Sequence, residues 1–215
     1  MKQSLALALT KGRILQSTLP LLEAVGIVPS EDAEKTRKLR VDTNHPGIRI
    51  LLVRASDVPA YVEYGGADVG VTGKDILLEH SGRGIYEPLD LGIGVCQMVV
   101  AAKKGVKIDG PQILKVATKY PEVARQYFDR RGQQVEIIKL YGSMELAPLV
   151  GMADLIVDIM ETGATLAANG LEVIGEPIGQ ISSRLIVNKA SMKMKHEKIH
   201  QLIDGLSSVV TNNRR

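Results

Sequence analysis

The chain has 215 residues, enough to bury one large core or two smaller ones. Hydrophobic residues make up 45% and charged residues 24%, a balance that excludes a disordered chain and describes a soluble globular one. Aromatic residues are only 3% and the formal net charge is +3, so the chain lacks the stacking platforms and strong basicity of a nucleic-acid binder while mildly favouring anionic ligands.

From the N-terminus, LALAL reads as a strand. The stretch MKQSLALALTKGR is too short and too polar at its flanks for a signal peptide. No apolar run reaches the length of a membrane span, so a cytoplasmic location is expected. In ILQSTLPLLEAVG, residues Ile14, Leu15, Leu19, Leu22 and Val25 recur at roughly helical spacing, and Gly26 can stop the helix. KLRVDT and IRILLVR follow as strands. SDVPAYVEYGG predicts a helix capped by Ser56 or Asp57. ADVGVTG reads as a buried strand, KDILLEHSG as a short helix, and YEPLDLG and VCQMVVAAK as strands.

Cys96, in GVCQMVV, is the one cysteine. No intramolecular disulfide is possible, which fits a reducing compartment, and the residue reads as a small core side chain. After a loop, LKVAT predicts a strand and PEVARQYFDRRG a helix opened by proline. QVEIIKLY then reads as a strand, SMELAPLVGMA as a helix, DLIVDIM as a strand, TGATLAANG as a helix and RLIVNK as a late strand. The tail from Ser191 to Asn212 reads as one long polar helix. No internal repeat or low-complexity segment is present.

This alternation argues for an α/β fold with largely parallel sheets. LDLGIG near residues 89–94 and GEPIGQ at 175–180 read as two crossings between lobes. One lobe is then residues 1–92 plus 176–215, and residues 93–175 form a second lobe inserted into it. A cleft between such lobes is a usual place for a ligand.

The stretch DIMETGATL carries the chemistry. Asp158 breaks an apolar run near its carboxyl end, where a carboxylate is expensive to bury unless it is paired or faces a ligand. Ligands of open α/β sheets bind at those ends. Thr162, Gly163, Ala164 and Thr165 then open a helix, whose free N–H groups and positive dipole suit a phosphate. Asp158 could accept hydrogen bonds from sugar hydroxyls, so the set suits a ribose 5-phosphate. The plain alternative is a strand, a capping residue and a helix. His196 and His200 are four apart, a spacing that can bind metal, but they lie among lysines with no acidic cluster nearby. His45 and His80 read as a loop and a helix-end residue.

The longer stretch ELAPLVGMADLIVDIMETGATL resembles the signature of the ATP phosphoribosyltransferases, the first enzymes of histidine biosynthesis. Glu145, Gly151, Ala153, Asp154, Asp158, Thr162, Gly163, Thr165 and Leu166 stand where that pattern asks. LALTKGRI resembles the family's Lys-Gly-Arg loop. LLVRASDVPAYVEYGGADVGVTGKDILLE resembles its second block, with Arg54, Asp57, Gly73, Lys74 and Asp75 in place.

The resemblance implies a two-lobed fold of the type II periplasmic-binding-protein kind, with the active site in the inter-lobe cleft. It implies ATP and phosphoribosyl pyrophosphate as substrates, with Mg2+. It also implies a short form, without the C-terminal histidine-binding domain. A regulatory subunit similar to histidyl-tRNA synthetase is then the expected partner, with a homodimer of this chain inside a hetero-octamer.

Asp158, Arg13 and Lys11 are the expected catalytic residues. Glu161, Thr162, Gly163, Ala164, Thr165, Leu166, Gly12, Arg54, Glu145 and Gly73 are expected to bind substrate, and the metal ligands are not identified. Each has a plainer reading beside it: TKGR as a solvated loop, Arg54 as a partner of Asp57, Glu145 as an exposed helical glutamate, Lys74 and Asp75 as a cap, and Asp154 as a structural residue. A solute-binding module of the same architecture would need no ribose-phosphate loop. A type I phosphoribosyltransferase would carry two adjacent acidic residues where Asp158 is followed by Ile159.

Overall fold

The computed structural model describes residues 4–106, 108, 110 and 112–213. The chain divides into two units, Met1–Gly94 with Ser182–Arg215, and Val95–Ile181. Each unit has its own sheet and its own core.

In the first unit the chain runs β1 (Leu5–Leu9), α1 (Arg13–Ala24), β2 (Arg40–Asp42), β3 (Ile48–Leu52), a 3-10 turn (Ala55–Asp57), α2 (Val58–Glu63), β4 (Val69–Gly73), α3 (Lys74–Glu79) and β5 (Ile85–Asp90). The second unit holds β6 (Cys96–Lys103), β7 (Leu114–Thr118), α4 (Pro121–Asp129), β8 (Val135–Lys139), α5 (Leu146–Leu149), β9 (Leu155–Met160), α6 (Ala164–Ala168), β10 (Leu171–Val173) and β11 (Gly179–Ile181). The chain then returns to the first unit with β12 (Ser183–Asn188), α7 (Lys189–Met194) and α8 (His196–Asn213).

The first sheet has the order β2-β3-β1-β4-β12-β5. Strands β3, β1 and β4 are mutually parallel, while β2, β12 and β5 run antiparallel to their neighbours. Side chains alternate across it, as a pleated strand requires. Leu5, Leu7 and Leu9 join Leu185 and Val187 in the core covered by α1 and α8, whereas Ala8 and Ile186 meet Val58 and Val62 of α2 on the other face. The second sheet has the order β10-β6-β9-β7-β8, with β11 also pairing β6. Strands β9, β7 and β8 are parallel, and β6 pairs antiparallel with β9, β10 and β11. Leu155 and Val157 pack under α4, and Ile156 packs under α5 and α6.

Three expectations change. The sheets are mixed rather than largely parallel, because β12 enters between β4 and β5 and β6 pairs across β9. The tail is not one polar helix. It bends at Lys195 between α7 and α8, and α8 buries Ile199, Leu202, Leu206 and Val210 at a helical spacing. The helix expected over SMELAPLVGMA shrinks to Leu146–Leu149, with Pro148 inside it and Gly151 at φ 74° just beyond. Cys96 lies partly buried against the core of the second unit, as the small-core-residue reading requires.

Candidate active site

In the first unit the expected residues share one end of the sheet. Lys11, Gly12 and Arg13 follow β1, Arg54 follows β3, and Gly73 ends β4. These three strands are adjacent and parallel, so their carboxyl ends lie side by side, the edge where open α/β sheets bind ligands. Arg13 and Arg54 are exposed there. The Asp57 N–H donates to the Arg54 carbonyl at 2.9 Å, but no ion pair joins their side chains among the described residues. Asp57 accepts instead from Ser56 Oγ at 2.9 Å.

Lys11 and Gly12 are engaged. Lys11 Nζ donates to the carbonyls of Glu34 at 3.1 Å and Thr36 at 2.5 Å. The Gly12 N–H donates to the Glu34 carboxylate, 2.9 Å to Oε1 and 3.3 Å to Oε2. Gly12 has φ 92°, a left-handed value that favours glycine, where the chain turns from β1 into α1. Sequence reasoning passed over residues 31–37 altogether. Their signal was the dense run EDAEKTRK, whose charges largely pair among themselves. Glu31 bonds Lys38 Nζ at 2.6 Å and Thr36 Oγ1 at 2.8 Å, and the hydrogen bond from Lys38 holds the Glu31 carboxyl below its ordinary range. Asp32 pairs with Lys35 and is lowered in the same way.

In the second unit the parallel strands β9, β7 and β8 again set the site. Asp158 and the turn Glu161–Thr162–Gly163 lie at the carboxyl end of β9, and Glu145 follows β8 as the residue capping α5. Residues Leu155, Ile156 and Val157 are buried, and the chain then emerges at Asp158, which is half-buried rather than enclosed. Its Oδ1 accepts the N–H of Ile159 at 2.8 Å. Just before it, Thr118 Oγ1 donates to the carbonyl of Val157 at 2.6 Å and accepts from the N–H of Tyr120 at 2.8 Å, pinning the ends of β7 and β9 together. This buried threonine was not picked out from sequence.

The turn fits an approaching anion. Glu161, Thr162, Ala164 and Thr165 are exposed, and Gly163 has φ 78°. A Cβ at Gly163 would be strained by that backbone and would meet Met160 Sδ at 3.3 Å. Thr162 Oγ1 accepts the N–H of Ala164 at 3.3 Å, so the Thr162 hydroxyl proton remains to donate. Leu166 differs from its neighbours: it is buried in the core under α6 and anchors the turn from below. Asp154 is structural, as expected, since it exchanges two 2.8 Å hydrogen bonds with the backbone of Lys115. Lys74 pairs with Glu87 at 2.6 Å and Asp75 is buried. Glu145 is half-buried, not the fully exposed glutamate of its plainer reading. The rings of His196 and His200 are 4.1 Å apart on α8. Among the described residues, no three or more His, Cys, Asp or Glu side chains converge to hold a metal ion, and no helix is long and apolar enough to cross a membrane.

Comparison with known proteins gives the family. The family model described as ATP phosphoribosyltransferase matches residues 54–208. An ATP phosphoribosyltransferase of Saccharophagus degradans is 59% identical over 206 residues, covering 96% of each chain. A solved structure titled ATP phosphoribosyl transferase (HisG:HisZ) complex from Thermotoga maritima superposes with a TM-score of 0.84 at 35% identity, covering 97% of this chain and 99% of that one. The periplasmic aliphatic sulphonate binding protein SsuA of Escherichia coli shares the fold alone, with a TM-score of 0.62 at 15% identity, covering 100% of this chain and 75% of that one.

Proposed function

The chain belongs to the ATP phosphoribosyltransferase family and transfers a phosphoribosyl group to ATP in the first step of histidine biosynthesis, and we propose how its residues perform that transfer. The observation that carries the proposal is the turn after β9, where exposed threonines flank a glycine held at φ 78°. Thr162, Gly163, Ala164 and Thr165 hold the 5-phosphate of phosphoribosyl pyrophosphate, with Glu161 and Leu166 fixing the ends of the turn. Asp158 accepts hydrogen bonds from the ribose hydroxyls. Its charge also favours the cation-like ribose that forms as the C1–O bond breaks.

Adenine N1 brings its own lone pair, so no side chain has to be activated. A bond forms from N1 to C1 as the bond from C1 to oxygen breaks, and pyrophosphate leaves with the electron pair. The several negative charges of that leaving group call for cations. Lys11, Arg13 and Arg54, gathered at the carboxyl ends of β1 and β3, supply them, and Gly12 lets the backbone approach closely. Glu145 and Gly73 complete the substrate contacts. Mg2+ is expected with these substrates, since that ion is usually bound through substrate phosphates rather than by an all-protein cage. It would neutralise leaving-group charge, and no residue of the chain is assigned to hold it.

We also propose a regulatory partner subunit resembling histidyl-tRNA synthetase, with a homodimer of this chain inside a hetero-octamer and a cytoplasmic location. Support for the partner comes from the similar Thermotoga maritima structure, which is a HisG:HisZ complex. The test of the site is turnover, followed in the near ultraviolet as N1-alkylated adenine forms. Thr162→Val and Thr165→Val should each raise the KM for phosphoribosyl pyrophosphate about tenfold while leaving that for ATP nearly unchanged, since each loses one hydrogen bond to a charged group. Unchanged KM values in both variants would sink the phosphate assignment.

A further inference from the structure

We propose that Glu34 is a built-in competitor for substrate phosphate at the Lys11–Gly12–Arg13 loop, a reading that rests on the assignment of that loop to anion binding. Gly12 caps the N-terminus of the twelve-residue helix α1, and its N–H points at both carboxylate oxygens of Glu34, at 2.9 and 3.3 Å. A carboxylate oxygen and a phosphate oxygen make the same demand on such a donor: each is an anionic acceptor favoured by the positive end of the helix. The second donor of the loop is drawn the same way, since Lys11 Nζ bonds the carbonyls of Glu34 and Thr36.

The contact is built rather than incidental. Asp32 Oδ1 accepts the N–H groups of Glu34 and Lys35, at 3.0 and 3.2 Å, which turns the chain so that the Glu34 side chain faces Gly12. Glu31 and Asp32 are matched by Lys38 and Lys35 within the same segment, whereas Glu34 is directed at the loop. A phosphate oxygen approaching the Gly12 N–H meets a like charge in its place, and one N–H cannot serve both anions. Glu34 therefore leaves as substrate phosphate enters. It returns as product pyrophosphate departs, which keeps the loop from being held by its own product. Steps of that kind set the turnover of many enzymes.

The experiment is calorimetric titration of the full chain with inorganic pyrophosphate and Mg2+, using wild type, Glu34→Gln, Glu34→Ala and Lys11→Met, each checked for an unchanged melting profile. Glu34→Gln keeps an acceptor for Gly12 but loses the charge, and Glu34→Ala loses both. Both should bind pyrophosphate about tenfold more tightly, the equivalent of one charge-assisted hydrogen bond given up by the free state. Lys11→Met should bind more weakly. Unchanged or weaker binding in the two Glu34 variants, with Lys11→Met still weakened, overturns the competitor and leaves Glu34 as a brace of the loop. Unchanged binding in Lys11→Met removes the loop from anion binding, a separate failure that the Glu34 variants do not produce.

Discussion

Asp68 holds the returning C-terminal segment to the start of the first sheet, and its removal should cost much of the stability of that unit. The residue is 6% exposed. Its Oδ1 accepts from Ser191 Oγ at 2.6 Å and Lys195 Nζ at 2.7 Å, and its Oδ2 from the N–H of Ala6 and Lys195 Nζ, both at 2.8 Å. Lys195 also donates to the carbonyl of Ser4 at 2.6 Å. Asp68→Ala leaves a mostly buried ammonium without its counter-charge and a buried backbone N–H without its acceptor. Breaking one side of such a pair costs about 3–5 kcal/mol, and the orphaned N–H adds to the upper part of that range. At about 2–4 °C per kcal/mol for a chain of this size, 4 kcal/mol corresponds to a fall in Tm of about 8–16 °C. The assay is thermal melting followed by circular dichroism, with urea unfolding beside it. Asp68→Ala/Lys195→Met should lose clearly less than the sum of its single variants, because the uncompensated charge is gone. Lys35→Met is the surface control: its side chain is 87% exposed, and losing its pair with Asp32 should change Tm little. Asp68 lies one five-residue strand, about 16 Å, from the ligand end of β4, so the folded variant should keep its activity in the cold. A loss under about 1 kcal/mol for Asp68→Ala, or strict additivity in the double variant, would refute the reasoning.

Two further outcomes are expected. Glu63 accepts the N–H of Gly84 at 3.0 Å and faces His80 Nε2 at 2.9 Å, and these contacts, the Gly84 bond foremost, hold its carboxyl below the ordinary 4.5 against the opposing push of burial. A depressed carboxyl stabilises the fold above its unfolded pKa and loses that contribution as pH falls through the folded value. Urea midpoints of wild type and Glu63→Gln should therefore differ at neutral pH and converge in acid below 4.5, whereas a gap that persists there would count against this contact. Histidine at millimolar concentration should leave the purified chain's activity unchanged and should inhibit only after the proposed regulatory subunit is added, because the coupling is then carried across a subunit interface. Saturable histidine binding to the isolated chain, with inhibition, would contradict the proposed division of labour.

The placement of the candidate residues was legible because parallel strands impose one rule within each sheet: residues that follow them gather at one edge. TKGR after β1, Arg54 after β3 and METGAT after β9 could each be placed by finding the strand before it. The order of the strands was less legible. β10 and β11 have three residues each, too few for an alternating pattern to register, and β11 overlaps the end of a Gly/Pro stretch that reads as a connection. The tail misled for a different reason. Its lysines and histidines crowd the first part, residues 193–200, while the buried stripe of Ile199, Leu202, Leu206 and Val210 shows only when those positions are wound at 3.6 residues per turn. Glu34 escaped notice because its partner is a backbone N–H far back in the chain, and no spacing rule connects a carboxylate to a glycine 22 residues away.

The position of β12 bears on how the chain is made. β5 pairs only with β12 among the described residues, and β12 separates it from β4. Both strands that flank it are synthesised about a hundred residues before it, with the whole second unit, Val95–Ile181, emerging from the ribosome in between. The second unit is contiguous and has all its strands in hand when its last residue appears. The first must wait with an open edge on β4, a row of unpaired N–H and carbonyl groups in the nascent chain. Local contacts close quickly and distant ones slowly, so synthesis favours the inserted unit maturing before the unit that hosts it. Insertion of β12 closes that edge, and Lys195 then reaches back to Asp68 and Ser4, joining the last part of the chain to the first.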